Sequence, residues 1–499
     1  MLKFGWSKVN IGVDGPVGIT GQFHERISKG LYDESLVTVL VIDDGKTASI
    51  MMSGDLVSVG DGIIFDVREA TRAKNSEIPV ENIIFNATHT HCSPRYMKMG
   101  HLGYDKAPHD EVDYVMPEEY RKIFVERVSN AIVEAYESRS EGSYSYGYGY
   151  AVVAHHRRPT YFDDLRERPG IKGPSSLHVD KHARMYGKTD DPMFSEYEGN
   201  VDSAAYFMFT FDKNEKLTGA IINVPCPSQN SEMEEFLTGD YWVQVRAMLK
   251  EKYGEIYVLS QCASAGDMSP RTLHARPAEN RKYALKYEGM EFPGVRSSRE
   301  MFNRIEIAER IVAAFDDTYR WASKEKFADS KLSHVVKNVK LPAWKVTEEQ
   351  YIAAKEEYEK VKDQKFVCTD NKRADFETNT KLSTVFARFE SLMSRYERNV
   401  EFYEPELHFV ALGDIAFVSN PFELYIAYQH RIQARSPFVQ TFAVQLAAST
   451  SCSGYLCTQR AADNMGYSAN LYSCSVSPEG GSILVEETLK ELEALHGEK

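Results

Sequence analysis

Apolar runs short enough to be strands alternate with longer amphipathic stretches along most of this chain, a rhythm that restricts it to folds in which sheets are covered by helices. LVTVLVIDDGKTASIMMSGD (36–55) reads as two strands joined at Asp44-Gly45, a short-range hairpin signal. A helical pattern follows at 61–74, then the apolar run Ile83-Ile84-Phe85, then a long helix from Pro117 to Ser138. Glu118 and Glu119 fall in its first turn, where the helix dipole favours acids. Residues 143–154 and 203–223 read as strands, the second broken by the turn DKNEK, and 240–253 as a helix before the strand EIYVLSQCASAGD. Residues 297–325 are strongly helical. From about 345 to 400 the sequence turns charged and helical, in TEEQYIAAKEEYEKVKDQK and TKLSTVFARFESLMSRYERNVEFY, as expected of a helical insertion on a sheet domain. Such a segment serves as a lid, as a partner surface or as a solvated face, the last being the commonest use. The chain returns to strands in LHFVALGDIAFVSN and FVQTFAVQLAAS and closes on a helix at 481–495, with no internal repeat visible in the sequence.

The expected class is therefore α/β, with mixed sheets and surrounding helices. A length of 499 residues exceeds one small core and by itself leaves one large domain or two open. With 59 basic against 73 acidic residues the formal charge is −14, which opposes nucleic acid and anionic lipid surfaces, and no basic patch stands out in the sequence. No apolar run approaches the ~20 residues that span a bilayer. The start, MLKFGWSKVNIG, lacks the pattern of a secretion signal, so a cytoplasmic protein is expected. Seven scattered cysteines without a C-x-x-C pair suit reduced thiols rather than a disulfide framework or zinc finger. A small-molecule substrate is the expected partner, and the sequence sets no oligomeric state.

Candidate chemistry gathers where strands end. In NATHTHCSP (86–94), His89 and His91 are two positions apart, so on a strand end they share a face. An H-x-H pair is a frequent zinc-ligand arrangement, and it is also a common structural pair, one ring bonded to backbone and the other in water. SAGDMSP (264–270) is a small, polar loop after an apolar strand; Ser269 is placed to bind substrate or act as a nucleophile, or the loop is a turn capped by Asp267. Glu423 in SNPFELY and Tyr455 in SGYLCT stand just beyond strands, as site residues or as a solvated glutamate and a core tyrosine. AHHRRPTYFDD concentrates His155, His156, Arg157 and Arg158, which suits an anion or a carbonyl oxygen as well as a solvated basic turn.

Taken in order, THTHCSP, GDMSP, NPFE and SGYLCT resemble the motifs of the neutral/alkaline, non-lysosomal ceramidase family, and the resemblance runs from GQFHERISKGLYD to VSPEGGSILVEETLKEL. It implies a single catalytic domain over 1–499 with the charged segment inserted in it, and a zinc ion at strand ends. By the resemblance His89, Glu423 and Tyr455 are zinc ligands, and His91 lies beside the metal and handles protons or substrate. Tyr467 then faces the substrate carbonyl, Ser269 matches the serine of G-D-x-S-P, and His24 in GQFHERI and Arg157 are secondary matches. One ligand departs from the pattern: NVPCPSQN offers Pro227 where the family has a zinc-binding histidine. Cys226, whose thiolate would be a good ligand, is next to it, and His91, Asp240, His156, His178 and His182 are further candidates for the gap. Lipid-cleaving members are secreted and carry an extra immunoglobulin-like domain, so ceramide is not the expected substrate. The implied function is a zinc-dependent amidohydrolase, hydrolysing a linear amide or a related small substrate. The alternative is a fold relative with an altered or lost metal site that binds or rearranges a small polar, sugar-like molecule.

Overall fold

A computed structural model of the protein describes residues 1–169, 180–449 and 451–497, so His178 lies outside the described residues. Among these, one order of elements occurs three times: three antiparallel strands, a helix, a fourth strand parallel to the third, and a closing helix. The first unit is β1 (Lys3–Asn10), β2 (Leu36–Asp43), β3 (Ala48–Gly54), α1 (Ile63–Lys74), β4 (Ile83–Ala87) and α2 (Pro117–Glu137). The second is β5 (Ser140–Tyr150), β6 (Ala204–Asp212), β7 (Leu217–Val224), α3 (Tyr241–Tyr253), β8 (Tyr257–Cys262) and α4 (Ser298–Ala322).

The third unit begins at β9 (Leu332–Asn338), is interrupted by the charged helices α5 (Glu348–Val361) and α6 (Lys372–Glu397), and resumes at β10 (Glu406–Leu412) and β11 (Ile415–Ser419). After a short strand, β12 (Phe422–Leu424), come α7 (Ile426–Arg435), β13 (Gln440–Val444) beside β11, another short strand, β14 (Gly454–Leu456), and α8 (Pro478–Gly497). The expected strands and helices are all present; β1, β9, α7, a helix at Arg276–Lys286 and the short strands are additional.

Pairing of β1 with β5 joins two units into one eight-stranded sheet, ordered β8-β7-β6-β5-β1-β2-β3-β4 and parallel only at its two edges. The third unit makes a separate sheet, ordered β9-β10-β11-β13. Period-two alternation assigns each face. Val37, Val39 and Val41 of β2 pack under α1 and α2, while Leu40 and Ile42 turn to a core shared with Val410, Leu412, Phe417 and Phe442 of the smaller sheet. Phe207, Phe209 and Phe211 pack under α4 in the same way, with Met208 turned inward. Leu407, Phe409 and Val418 face the core beneath α7 and α8. The result is four layers, helices on sheet on sheet on helices. This explains why β2 is buried at all eight positions and is apolar at all but Thr38 and Asp43. Gly5 marks the closest helix contact, since a Cβ there would lie 1.8 Å from the Ala135 carbonyl oxygen of α2. No helix of the described residues is long and apolar enough to cross a membrane.

Candidate active site where three sets of loops meet

Corresponding loops of the three units surround one cavity of about 840 Å³. The long connection after the first strand of each unit supplies Phe23, Arg157 and Arg388; the connection after the third strand supplies Val57, Gln229 and Glu423; the fourth strands lead to His89 and to Tyr455. His91, Tyr467 and Glu232 complete its polar floor.

β4 ends at Ala87, and His89 leaves it in the left-handed region at φ 68°. His89 Nδ1 lies 2.7 Å from the Val57 carbonyl oxygen, which only accepts, so Nδ1 carries a proton and Nε2 is the nitrogen turned to the cavity. That nitrogen faces Glu423 Oε2 at 3.4 Å and His91 Nε2 at 3.3 Å. A lone pair and a carboxylate in opposition repel unless a proton or another cation stands between them. Glu423 and Tyr455 are brought together by strand pairing, being directly opposite in the parallel ladder of β12 and β14. Gly266 permits the approach of the neighbouring loop, because any Cβ there would come within 2.2 Å of the Glu423 carbonyl oxygen.

Arg157 is buried and follows a two-residue strand in which His155 pairs with Ser269 and His156 with Met268. It donates through Nη2 to the Gly266 carbonyl at 2.9 Å and to Tyr455 Oη at 3.1 Å, and the same nitrogen is 3.7 Å from Glu423 Oε2. Its neighbour Arg158 points the other way, holding Glu198 and donating to the Tyr467 and Met465 carbonyls at 2.7 Å. That arginine shapes the loop carrying Tyr467 and does not line the cavity. Tyr455 and Tyr467 meet edge to face with centroids 5.5 Å apart. Burial, then the Glu423 charge, pushes the Tyr467 phenol up to about 12 and the Tyr455 phenol well above its ordinary range, so both stay protonated as donors near neutral pH. His91 is held well below the usual histidine range by burial first, then by His89, Arg26, Arg157 and Arg271.

Of the nine residues expected at the site, His89, His91, Arg157, Glu423, Tyr455 and Tyr467 line this cavity, while Ser269, Cys226 and His24 do not. Ser269 is buried and its Oγ accepts from the Arg271 amide at 3.1 Å. Cys226 lies in the apolar core under α3 and α4; its thiol donates to the Val153 carbonyl at 3.2 Å and burial pushes it well above the ordinary thiol range. A neutral thiol there is no metal ligand. His24 sits near Lys381 and Arg26, where burial and those charges lower it to about 4. Among the described residues weighed for the missing ligand, Asp240 caps α3, His156 faces Asp267 at 3.4 Å, and His182 bonds the Asp163 carbonyl, so of these His91 is the one on the cavity wall.

Residues without a sequence signal complete the floor. Past Pro227 the chain turns so that Gln229 reaches Tyr186 Oη at 3.0 Å and Glu232 Oε2 at 3.3 Å. Glu232 pairs with Arg271 and lies 3.6 Å from His91 Nδ1.

Among the described residues no group of three or more His, Cys, Asp or Glu side chains converges as a metal site. The donors that face one another in the cavity are His89 Nε2 and the Glu423 carboxylate, with the Tyr455 phenol opposite Glu423 in the ladder, two strong donors and one weak one for a divalent cation. The opposed imidazole nitrogen and carboxylate fit such an ion.

No family model and no curated protein matches this sequence. Solved structures do. The neutral ceramidase from Pseudomonas aeruginosa superposes with a TM-score of 0.66 at 16% identity, covering 100% of this chain and 75% of its own. A ceramidase complexed with C2 gives 0.65 at 15% identity with the same coverage. The chain has a neutral-ceramidase-like fold along its whole length.

Proposed function

We propose that this protein is an amide hydrolase that works with a divalent metal ion, zinc in the first place, held by His89, Glu423 and Tyr455. The observation that carries the reading is the convergence of His89 Nε2 and the Glu423 carboxylate, 3.4 Å apart on the cavity wall, with Tyr455 directly opposite Glu423 in the ladder. The fold neighbours, both ceramidases, cleave the same kind of bond and add support at the level of analogy.

When bound, a zinc ion supplies Lewis acidity and lowers the pKa of water from 15.7 toward ~7. The chain's own groups do the rest. His91 begins neutral and so can take the proton that the attacking water gives up, then deliver it to the nitrogen as the C–N bond breaks. Tyr467 and Arg157 bring an O–H and an N–H to the carbonyl oxygen, where negative charge develops. Gln229 accepts from Arg157 Nη1, and the Glu232 carboxylate lies 3.6 Å from His91 Nδ1, where it favours a proton arriving on that ring. Ser269 acts at one remove, in the strand pair that aims Arg157.

Elemental analysis of the purified protein should find close to one zinc per chain, and chelation should abolish cleavage of linear amides. His89→Ala and Glu423→Ala should each lower metal content by at least about tenfold, the usual cost of a lost contact at such a centre. A protein that stays free of metal after supplementation sinks the metal reading. Pro227 in the place of a third strong donor favours a second one, a metal-free site that binds a small polar, sugar-like molecule through Arg157 and the histidines. Ligand affinity unaffected by a chelator would select it.

A further inference from the structure

The wall that α6 gives to the cavity carries Arg388, Arg395 and Arg398, at i, i+7 and i+10 on one face. Among the described residues none of the three has a carboxylate within ion-pair distance. Arg395 gives Nη1 and Nη2 to the carbonyls of Leu471 and Trp344 at 2.6 and 2.7 Å. Arg388 has only an aromatic face, its guanidinium carbon lying 4.2 Å from the Phe23 ring centre. The acids of the same helix are engaged elsewhere: Asp375 with Thr369, Glu377 with Arg373, Glu390 with Lys106 and Glu397 with Tyr351. The two cavity glutamates are also taken, Glu423 by Arg157 and His89 and Glu232 by Arg271. A chain with a formal charge of −14 thus gives this cavity five arginines, of which Arg95 pairs with Glu25 and Arg157 with Glu423, leaving Arg388, Arg395 and Arg398 without a carboxylate among the described residues. Fixed cations in a partly desolvated cleft that no internal anion neutralises are the signature of a site for an external one. Desolvation also lowers the Arg388 pKa, as it does for a cation short of a partner.

The position of this cluster relative to the reacting groups is set by a chain of rings in edge-to-face contact. Phe23 under Arg388 meets Tyr467 at 5.6 Å, and Tyr467 meets Tyr455 at 5.5 Å. We propose that the amide taken by this cavity carries an anionic group, a carboxylate or a phosphate, at the end remote from the scissile bond, bound by Arg388 with Arg398 and the free Nε of Arg395. This deepens the hydrolase reading and rests on it for the identity of the scissile bond.

Calorimetric binding to the full-length, zinc-supplemented protein tests it, with 6-acetamidohexanoate, 6-acetamidohexyl phosphate and the uncharged 6-acetamidohexanamide as probes. The better anion should bind about 10- to 100-fold tighter than the carboxamide, the worth of a hydrogen bond between charged groups. The tighter of the two anions identifies the group. Arg388→Gln should bring the preference to within about threefold, and Arg398→Gln, at an exposed position where folding is not at stake, should reduce it in the same direction. Equal affinity for the carboxamide, binding by neither anion, or a preference that survives both substitutions overturns the proposal. Hydrolysis is followed separately: an anion that binds selectively but is never cleaved removes the hydrolase reading and leaves the anion site standing, whereas cleavage without charge preference does the reverse.

Discussion

His89 and His91 were expected to share a face as alternate residues of a strand, and their Nε2 atoms do meet at 3.3 Å, by another route. The strand has already ended, and the positive φ of His89 folds the loop so that the rings cross at 80°. The pair was legible from spacing, and its geometry was not, because a left-handed turn leaves no mark when the residue is histidine. The same limit hid Glu232, Gln229 and Arg388, whose partners are distant in sequence. If Tyr467 donates to the developing oxyanion, Tyr467→Phe should lower kcat by about 10²- to 10³-fold with little change in KM, measured on any amide the protein cleaves. A second expectation concerns Glu25, fully buried against Arg95 at 3.2 Å, whose carboxyl burial raises from 4.5 to about 7. A raised carboxyl favours the protonated folded state, so this stability is present in full below pH 4.5 and is lost as pH rises through about 7. Denaturant titrations between those limits should show a fall on the order of 2–3 kcal/mol that Glu25→Gln flattens. An unchanged slope in the variant would assign the pH dependence to other groups.

The helical pair α5 and α6 shows how an element's type can be legible while its place is left open among several. Its amphipathic period and capping box, Thr347 with Gln350, mark it plainly as helix. A solvated surface was the commoner expectation, yet α6 turns Thr384, Arg388, Ser391 and Arg395 to the cavity. The pair is fastened by Ala354, Phe389, Leu392 and Leu471, a small core apart from those of the sheets. Leu392→Ala should cost about 2–5 kcal/mol locally. Hydrogen exchange should then quicken across 348–397 while the strands keep their protection. Uniform quickening over the whole chain would mean that the pair is part of the central folding unit.

The threefold recurrence of one strand-and-helix order escaped the sequence because each unit preserves only periodicity and connection, with loops of different length and no shared residues at fixed spacing. What was legible was the α/β rhythm; what was not was that the third unit's sheet packs on the sheet shared by the first two units. Phe417 and Phe442 stack at 4.3 Å in the core between the sheets, so Phe442→Ala should cost about 3–5 kcal/mol and lower a single calorimetric transition. Two separate transitions would show that the sheets melt independently. The seam between the second and third units passes through the exposed residues Lys324 and Glu325, just beyond α4. A polypeptide ending at 324 would own His89, His91 and Arg157, and one beginning at 325 would own Glu423, Tyr455, Tyr467 and Arg388. Severed there and co-expressed, the two pieces should reassemble through the buried apolar surface they share, and activity should appear only in the mixture, which makes this junction a natural place to split the protein for a complementation assay.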